Sequence, residues 1–512
     1  VRKLRRLYVN LVPALHQKVM DTSLDLGALA YAVRRLPTNV TGTPAWYLTD
    51  ELPPSLRKAD NYFPPVASSA RRRGAWQMFP GKNLIVIRNG LTDAMDLVSC
   101  LCALATEGKK IRHRISKQHS LSLIRQNLDQ VLKPEDLRRI LGEVGFLSPE
   151  VDTFYSLWKD QALQRIWELF LLHEDLFLLS QKQTDIYHGR RTERWSSEVI
   201  RGAEKLLGIK LDDWPSDLEV HLISSNTHSV TNCLSPGIYS IRAEVMDWAR
   251  DTQHPHLKSR WSSTEDLFYS LLGDFLKNHK NEEVRNKDEF AQGILRLNDS
   301  TATGIQAQII DPSRMASGHY DSGINIKEGG TRKLIINIDY AFGEQAEEIL
   351  RGLLPSLRHH IKGFYVIGKA GALVGDRGDI MIPTAFLLQR EDRLFPLNQS
   401  PEILDTVGDH KVRYGPMLTV EGTLLQNRPM LNFYQRVYQT LGLEMEGYYY
   451  ARELQSQIQQ GILAPSIRQK YYYYTSDLPL DTEANLSRPM GIQEGIPPLY
   501  ALTRMVLNSI LS

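Results

Sequence analysis

From about residue 300 onward, apolar positions fall into short blocks that alternate between two periods. KLIINID (333–339) is an apolar, β-branched run of strand length, GEQAEEILRGLLPSL (343–357) repeats at three- and four-residue intervals, and GFYVIG (363–368) is again strand-like. A strand, a helix and a second strand in that order predict a parallel sheet with a crossover helix. The alternation continues through strands at GDIMIP (378–383) and PMLTVEG (416–422), and a helix at MLNFYQRVYQTLG (430–442). It ends with strand-like LEME (443–446), a helix over 447–461, a strand KYYYYTSD (470–477) and a closing helix over 497–512. This half of the chain reads as α/β.

The upstream half has a different texture. NLIVIRNGLTDAMDLVSCLCALATEG (83–108) predicts a short strand, a turn at Asn89-Gly90 and an apolar helix. Residues 119–210 are rich in helical spacing, as in Leu163, Ile166, Trp167 and Phe170. RIWELFLLHEDLFLL (165–179) carries four polar interruptions and predicts a buried amphipathic helix rather than a membrane span. DLEVHLISSNTHSVTNCL (217–234) gives a strand and then a polar run, either a ligand loop at a sheet edge or a turn into a capped helix. KNHKNEEVRNKDE (277–289) reads as a solvated helix or a linker. The expected organisation is an α+β region over 1–118, a mainly helical accessory region with a short α/β segment over 119–295, and an α/β domain over 296–512.

Composition narrows the classes of function. With 61 Lys and Arg against 59 Asp and Glu, a formal charge of +2 supplies no global field for polyanions. The densest basic run, GKKIRHRISK (108–117), reads as a solvated helix end or a local phosphate-contacting patch. Three cysteines without a CxxC pair suggest neither a disulfide framework nor a zinc site, and fit small buried side chains in a reducing, cytoplasmic compartment. No apolar run reaches the roughly 18 residues a spanning helix needs.

Candidate chemistry sits where strands end. Gly368 and Gly371 follow a buried strand, where a tight glycine turn lets backbone N–H groups approach an anion, and Lys369 adds a cation. Glu444 and Glu446 flank Met445 immediately before a helix. Carboxylates are costly to bury unpaired, so this junction either reaches solvent or uses them. Ser476 and Asp477 close the last strand, where Asp477 either caps a turn before Pro479 or acts as a general acid or base. His221, within a strand, reads as a satisfied core histidine; His228, in the polar run, is the better ligand candidate.

Together and in this order, the glycine turn in VIGKAGAL, the GDIMIP strand, the E-M-E-G helix start and the terminal S-D resemble the purine nucleoside phosphorylase and nucleosidase superfamily. The resemblance covers roughly residues 300–512, and VIGKAGAL with TSDLPL is most similar to AMP nucleosidases. It implies a phosphorylase-type three-layer αβα domain with a largely parallel mixed sheet, preceded by a mainly helical α+β region. The implied activity is cleavage of the N-glycosidic bond of a purine nucleoside or nucleoside monophosphate, by hydrolysis or phosphorolysis. Glu446 would bind the ribose hydroxyls with Met445 against the sugar; Asp477, held by Ser476, would protonate the base, with Leu424 beside it. Gly343, Gly368, Lys369, Ala370 and Gly371 would bind phosphate, which enters as co-substrate; no metal or redox cofactor is implied, and a homo-oligomer is expected. Lys369 stands where the family has Ser or Thr, and IDYAFGEQ retains only Gly343 of a glycine-rich turn. The rival implication is a degenerate domain that senses nucleotides or scaffolds partners without turnover.

Overall fold

The computed structural model describes residues 1–49, 63–69, 73–87, 91–172, 178–182, 188–278, 289–297, 303–315, 319–327, 330–397, 403–482, 484–486, 488 and 490–512. The turn expected at Asn89-Gly90 and most of the charged stretch 277–289 lie outside the described residues. The chain gathers into two compact units. The first comprises Val1–His188 with Glu421–Phe433 and Pro479–Arg488; the second comprises Gly189–Val420, Tyr434–Leu478 and Pro489–Ser512.

In the first unit, strands β1 (Ala45–Thr49), β2 (Ala75–Phe79), β3 (Lys82–Val86) and β4 (Leu178–Lys182) form a sheet in the order β2-β3-β1-β4. Helices dominate the rest, around the 25-residue helix Leu91–Ile115, whose inward face carries Leu97, Leu101, Leu104 and Ile111. Two expectations change here. The helix predicted over 165–179 is Ala162–Leu171, and residues 178–182 are a strand paired parallel to β1. Much of the basic run is spent on local partners: Lys110 pairs with Glu107, Arg112 donates to the Leu172 carbonyl, and Arg114 pairs with Glu150. Cys100 and Cys102 are buried in this core, and burial pushes the Cys102 thiol up to about 12.

The second unit is α/β. Its strands are β5 (Glu219–Ser224), β6 (Ile294–Leu297), β7 (Ala307–Ile310), β8 (Lys333–Ile338), β9 (Ile361–Ala372), β10 (Ile380–Leu388), β11 (Arg393–Pro396), β12 (Thr406–Val407), β13 (His410–Thr419), β14 (Gly442–Glu444) and β15 (Arg468–Asp477). They form one mixed sheet in the order β11-β10-β13-β14-β9-β5-β8-β7-β6, with β15 pairing β9 and β10 and β12 pairing β13. β8 and β9, the two strands of the predicted β-α-β unit, are not neighbours. β5 lies between them, parallel to both. Side chains alternate across the sheet, so Leu222 and Ile223 enter separate apolar clusters. One cluster packs the helix Gln345–Leu357 and the start of the helix Gly447–Gln459; the other packs Thr264–Asn278 and Ile492–Leu511. Among the described residues, no helix is long and apolar enough to cross a membrane.

His221 is in the core as expected but is not satisfied there. It is 2 % exposed, and among the described residues neither ring nitrogen has a hydrogen-bond partner. The Glu219 carboxylate stands 3.6 Å from Nε2.

Candidate functional site

The glycines after Tyr365 do not form the expected turn. β9 runs on to Ala372, and Gly368, Lys369, Ala370 and Gly371 all lie within it. Glycine serves close approach here. A Cβ on Gly368 would meet the Tyr473 ring at 2.6 Å, and one on Gly442 would meet the Gly371 carbonyl at 2.5 Å. The turn comes later, at Gly375 (φ 107) and Gly378 (φ 85), both in the left-handed region that favours glycine. Lys369 is exposed and Ala370 buried.

The sheet register then assembles three distant motifs. Asp477 on β15 pairs with Gly371 on β9, and Gly371 pairs with Leu443 on β14. The Ser-Asp pair and the Glu-Met-Glu junction therefore flank the same glycine, at the carboxyl ends of β14 and β15. β15 bulges between Thr475 and Asp477, leaving Ser476 outside the ladder. A bulge turns a side chain aside. Ser476 Oγ donates to Asp477 Oδ1 at 2.7 Å and contacts the Ala370 carbonyl at 3.3 Å. Asp477 is 2 % exposed.

Glu444 and Glu446 have separate tasks. Glu444 is 4 % exposed and accepts from the backbone N–H of Glu446 at 2.7 Å, from the Gly447 N–H and from Thr419 Oγ1. Tyr473 OH donates to it at 3.4 Å. A helix start leaves its first N–H groups without intrahelical partners, and this carboxylate supplies partners for the helix Gly447–Gln459. Burial raises the Glu444 pKa, and those donors oppose the shift. Glu446 occupies the N-cap position and is half-buried, as is Met445. Gly447 is required because a Cβ there would strike the Phe386 ring. Replacing Glu444 by Ala is expected to cost about 3 kcal/mol, because it orphans several buried donors at once. Urea unfolding measures this, and a loss under 1 kcal/mol would show that Glu444 does not hold the helix start.

Other residues at this edge were not singled out by the sequence. Ser224, at the end of β5, lies 3.0 Å from Tyr450 OH. Tyr340, after β8, donates its hydroxyl to the Ile367 carbonyl at 2.9 Å. Tyr450 is buried and carries this polar contact. Burial raises the phenols of Tyr340, Tyr450 and Tyr473, and Glu446 adds to all three shifts. The only sequence signal for Ser224 and Tyr340 was a polar residue next to a strand end.

The remaining candidates are not among the residues that the register pairs with Gly371. Gly343 has φ 62 and turns the chain into the helix Gln345–Leu357. His228 is exposed beside a short helix, with Asn226 Oδ1 accepting from the N–H groups of His228 and Ser229. Leu424 is 1 % exposed, within the apolar core of the first unit. A polar cleft of about 360 Å³ is lined by Glu347, Arg351, Arg452, Glu453, Ser456, Gln457 and Gln460 and contains none of the candidate residues.

The sequence matches, over residues 1–512, the family described as "Family of unknown function (DUF6909)", and the chain belongs to that family. No curated protein matches it. Among solved structures it is similar to the AMP nucleosidase from Bacteroides thetaiotaomicron VPI-5482, at 13% identity over 61% of this chain and 97% of that one, with a TM-score of 0.29. It is also similar to the native futalosine hydrolase of Helicobacter pylori strain 26695, at 12% identity over 56% and 97%, with a TM-score of 0.30. The apo 5′-methylthioadenosine nucleosidase of Arabidopsis thaliana matches at 10% identity over 41% and 82%, with a TM-score of 0.30.

Proposed function

We propose that the second unit is a phosphorylase-type αβα domain that cleaves the N-glycosidic bond of a purine nucleoside or nucleoside monophosphate. The observation that carries this reading is the register, which brings Asp477 and the Glu444–Glu446 junction to either side of Gly371. Glu446 accepts hydrogen bonds from the ribose hydroxyls, with Met445 against the sugar. As the bond breaks, the sugar gains oxocarbenium character, and a fixed carboxylate stabilises that growing positive charge. Asp477, oriented by the Ser476 hydroxyl, protonates the departing base at N7. Glu444 is a positioning residue, because its carboxylate fixes the amides of Glu446 and Gly447.

Base release from a panel of purine nucleosides and monophosphates, with and without phosphate, tests the reading. Release from at least one substrate is the expected result. Binding without release under either condition would overturn it and leave a nucleotide-sensing protein.

A further inference from the structure

The polar cleft of the second unit has no part in the chemistry proposed above. Glu347 and Arg351 come to it from the helix Gln345–Leu357, and Arg452, Glu453, Ser456 and Gln457 from the helix Gly447–Gln459. Four-residue spacing within Glu347–Arg351 and Glu453–Gln457 puts each pair on one helix face. Ion pairs cross the cleft between the helices. Arg452 Nη2 donates to Glu347, and Arg351 Nη2 donates to Glu453 at 3.2 Å while also meeting Glu347 on its own helix. A guanidinium carries five N–H donors, and these pairs use only the Nη2 of each arginine.

Charge in the cleft is sorted by depth. Side-chain exposure rises from 5 % at Glu453 and 15 % at Glu347 to 32 % at Arg452 and 57 % at Arg351. The floor is therefore negative and the rim positive, with two charges of each sign. Gln457 lies beside Glu453 and is 3 % exposed. Its Nε2 donates to Glu453 Oε1 at 2.8 Å, which fixes which way the amide is turned. Its Oε1 has no hydrogen-bond partner among the described residues. A buried acceptor without a donor is unfavourable, and helix packing alone gives no reason for one here.

We propose that this cleft binds a free α-amino acid as its zwitterion, ammonium inward and carboxylate outward. The ammonium donates to Glu453 Oε2, where it replaces Arg351, and to the unpartnered Gln457 Oε1. Arg351, the most exposed of the four charged groups, turns with Arg452 to the ligand carboxylate, and charge-assisted bonds of this kind are the strong ones. A ligand with both charges and no net charge leaves the balance of the four side chains intact. A simple anion would gain at the rim alone, and a simple cation at the floor alone. The volume of about 360 Å³ lies at the small end of the range for ligand sites. Binding here does not depend on glycosidic-bond cleavage.

The test is calorimetric titration of the full chain with a panel of L-α-amino acids. Saturable binding of at least one, with one molecule per chain, is the expected result. For that amino acid, the decarboxylated amine and the deaminated acid should each bind roughly 10-fold or more weakly, the scale of a lost charged hydrogen bond. Glu453→Gln keeps an acceptor for Gln457 Nε2 but removes the charge, so it should weaken the amino acid while leaving the deaminated acid unchanged. That loss of discrimination is one a purely structural role would not produce. Gln457→Met should weaken the amino acid several-fold, and Arg351→Ala, at an exposed position the fold does not need, should do the same. No saturable binding by any amino acid at millimolar concentration would overturn the inference. So would amine or acid binding as tightly as the amino acid, or an affinity that Glu453→Gln, Gln457→Met and Arg351→Ala all leave unchanged.

Discussion

Asp477→Asn is expected to lower purine release by roughly 10²–10⁴ while nucleoside binding is retained, the usual scale for removing a positioned general acid. Asn keeps the shape of the side chain and the acceptor that meets Ser476 Oγ at 2.7 Å, so the bulge in β15 has no reason to rearrange. What is lost is the proton. The size of the defect should therefore depend on the leaving group: a riboside whose aglycone departs without protonation should be cleaved by the variant at nearly the wild-type rate. An equal loss on both kinds of substrate would mean that Asp477 supports structure rather than proton transfer. Calorimetric titration with a non-cleavable nucleoside analogue separates loss of binding from loss of chemistry.

Acid should destabilise the second unit through His221, by an amount on the order of 5 kcal/mol at the limit. Burial is the largest cause of the shift, aided by the charges of Lys333 on β8, Arg468 on β15 and Lys362 on β9; together they push the imidazole down to about 3 from an ordinary 6.5. Glu219, at 3.6 Å, opposes them, but it is partly exposed and its charge is screened. The folded pKa lies below the unfolded one, so the unfolded chain binds the extra proton between those values. Stability is then complete above about pH 6.5 and is lost as pH falls towards 3. His221→Phe removes this proton along with two buried nitrogens that lack hydrogen-bond partners among the described residues. Its stability at pH 7 should be equal or higher. Below pH 6 the wild type should lose about 1.4 kcal/mol per pH unit relative to the variant. Parallel urea-unfolding curves from pH 7 to pH 4 would show that His221 titrates normally.

Much of the second unit could be read from the sequence. The runs at 333–338, 363–368 and 471–474 are long and apolar enough to declare buried strands, and the helices beside them carry their own period. The ends were less legible. β9 continues through Gly368 and Gly371, residues that in isolation signal a turn; the Tyr473 ring fills the space a side chain on Gly368 would need, and the Gly371 carbonyl lies against Gly442. Likewise residues 178–179 look helical beside Phe170 and Leu171, yet a parallel neighbour in β1 draws 178–182 into a strand.

The division at the candidate site follows the same physics. Sequence alone determined the kinds of groups present: Asp477 beside a serine, two glutamates before a helix, and glycines after an apolar run, because residue type fixes what a side chain can accept, donate or make room for. Only the tertiary structure decided which groups meet. Asp477, Gly371 and Leu443 are aligned by hydrogen-bond register between strands far apart in the chain. β5 separates β8 from β9 and brings Ser224 to Tyr450. Glu444 was assigned to the helix start by four converging donors, two of them from β13 and β15. Pairing between distant strands depends on the packing of the whole sheet and leaves no local pattern in the segments it joins.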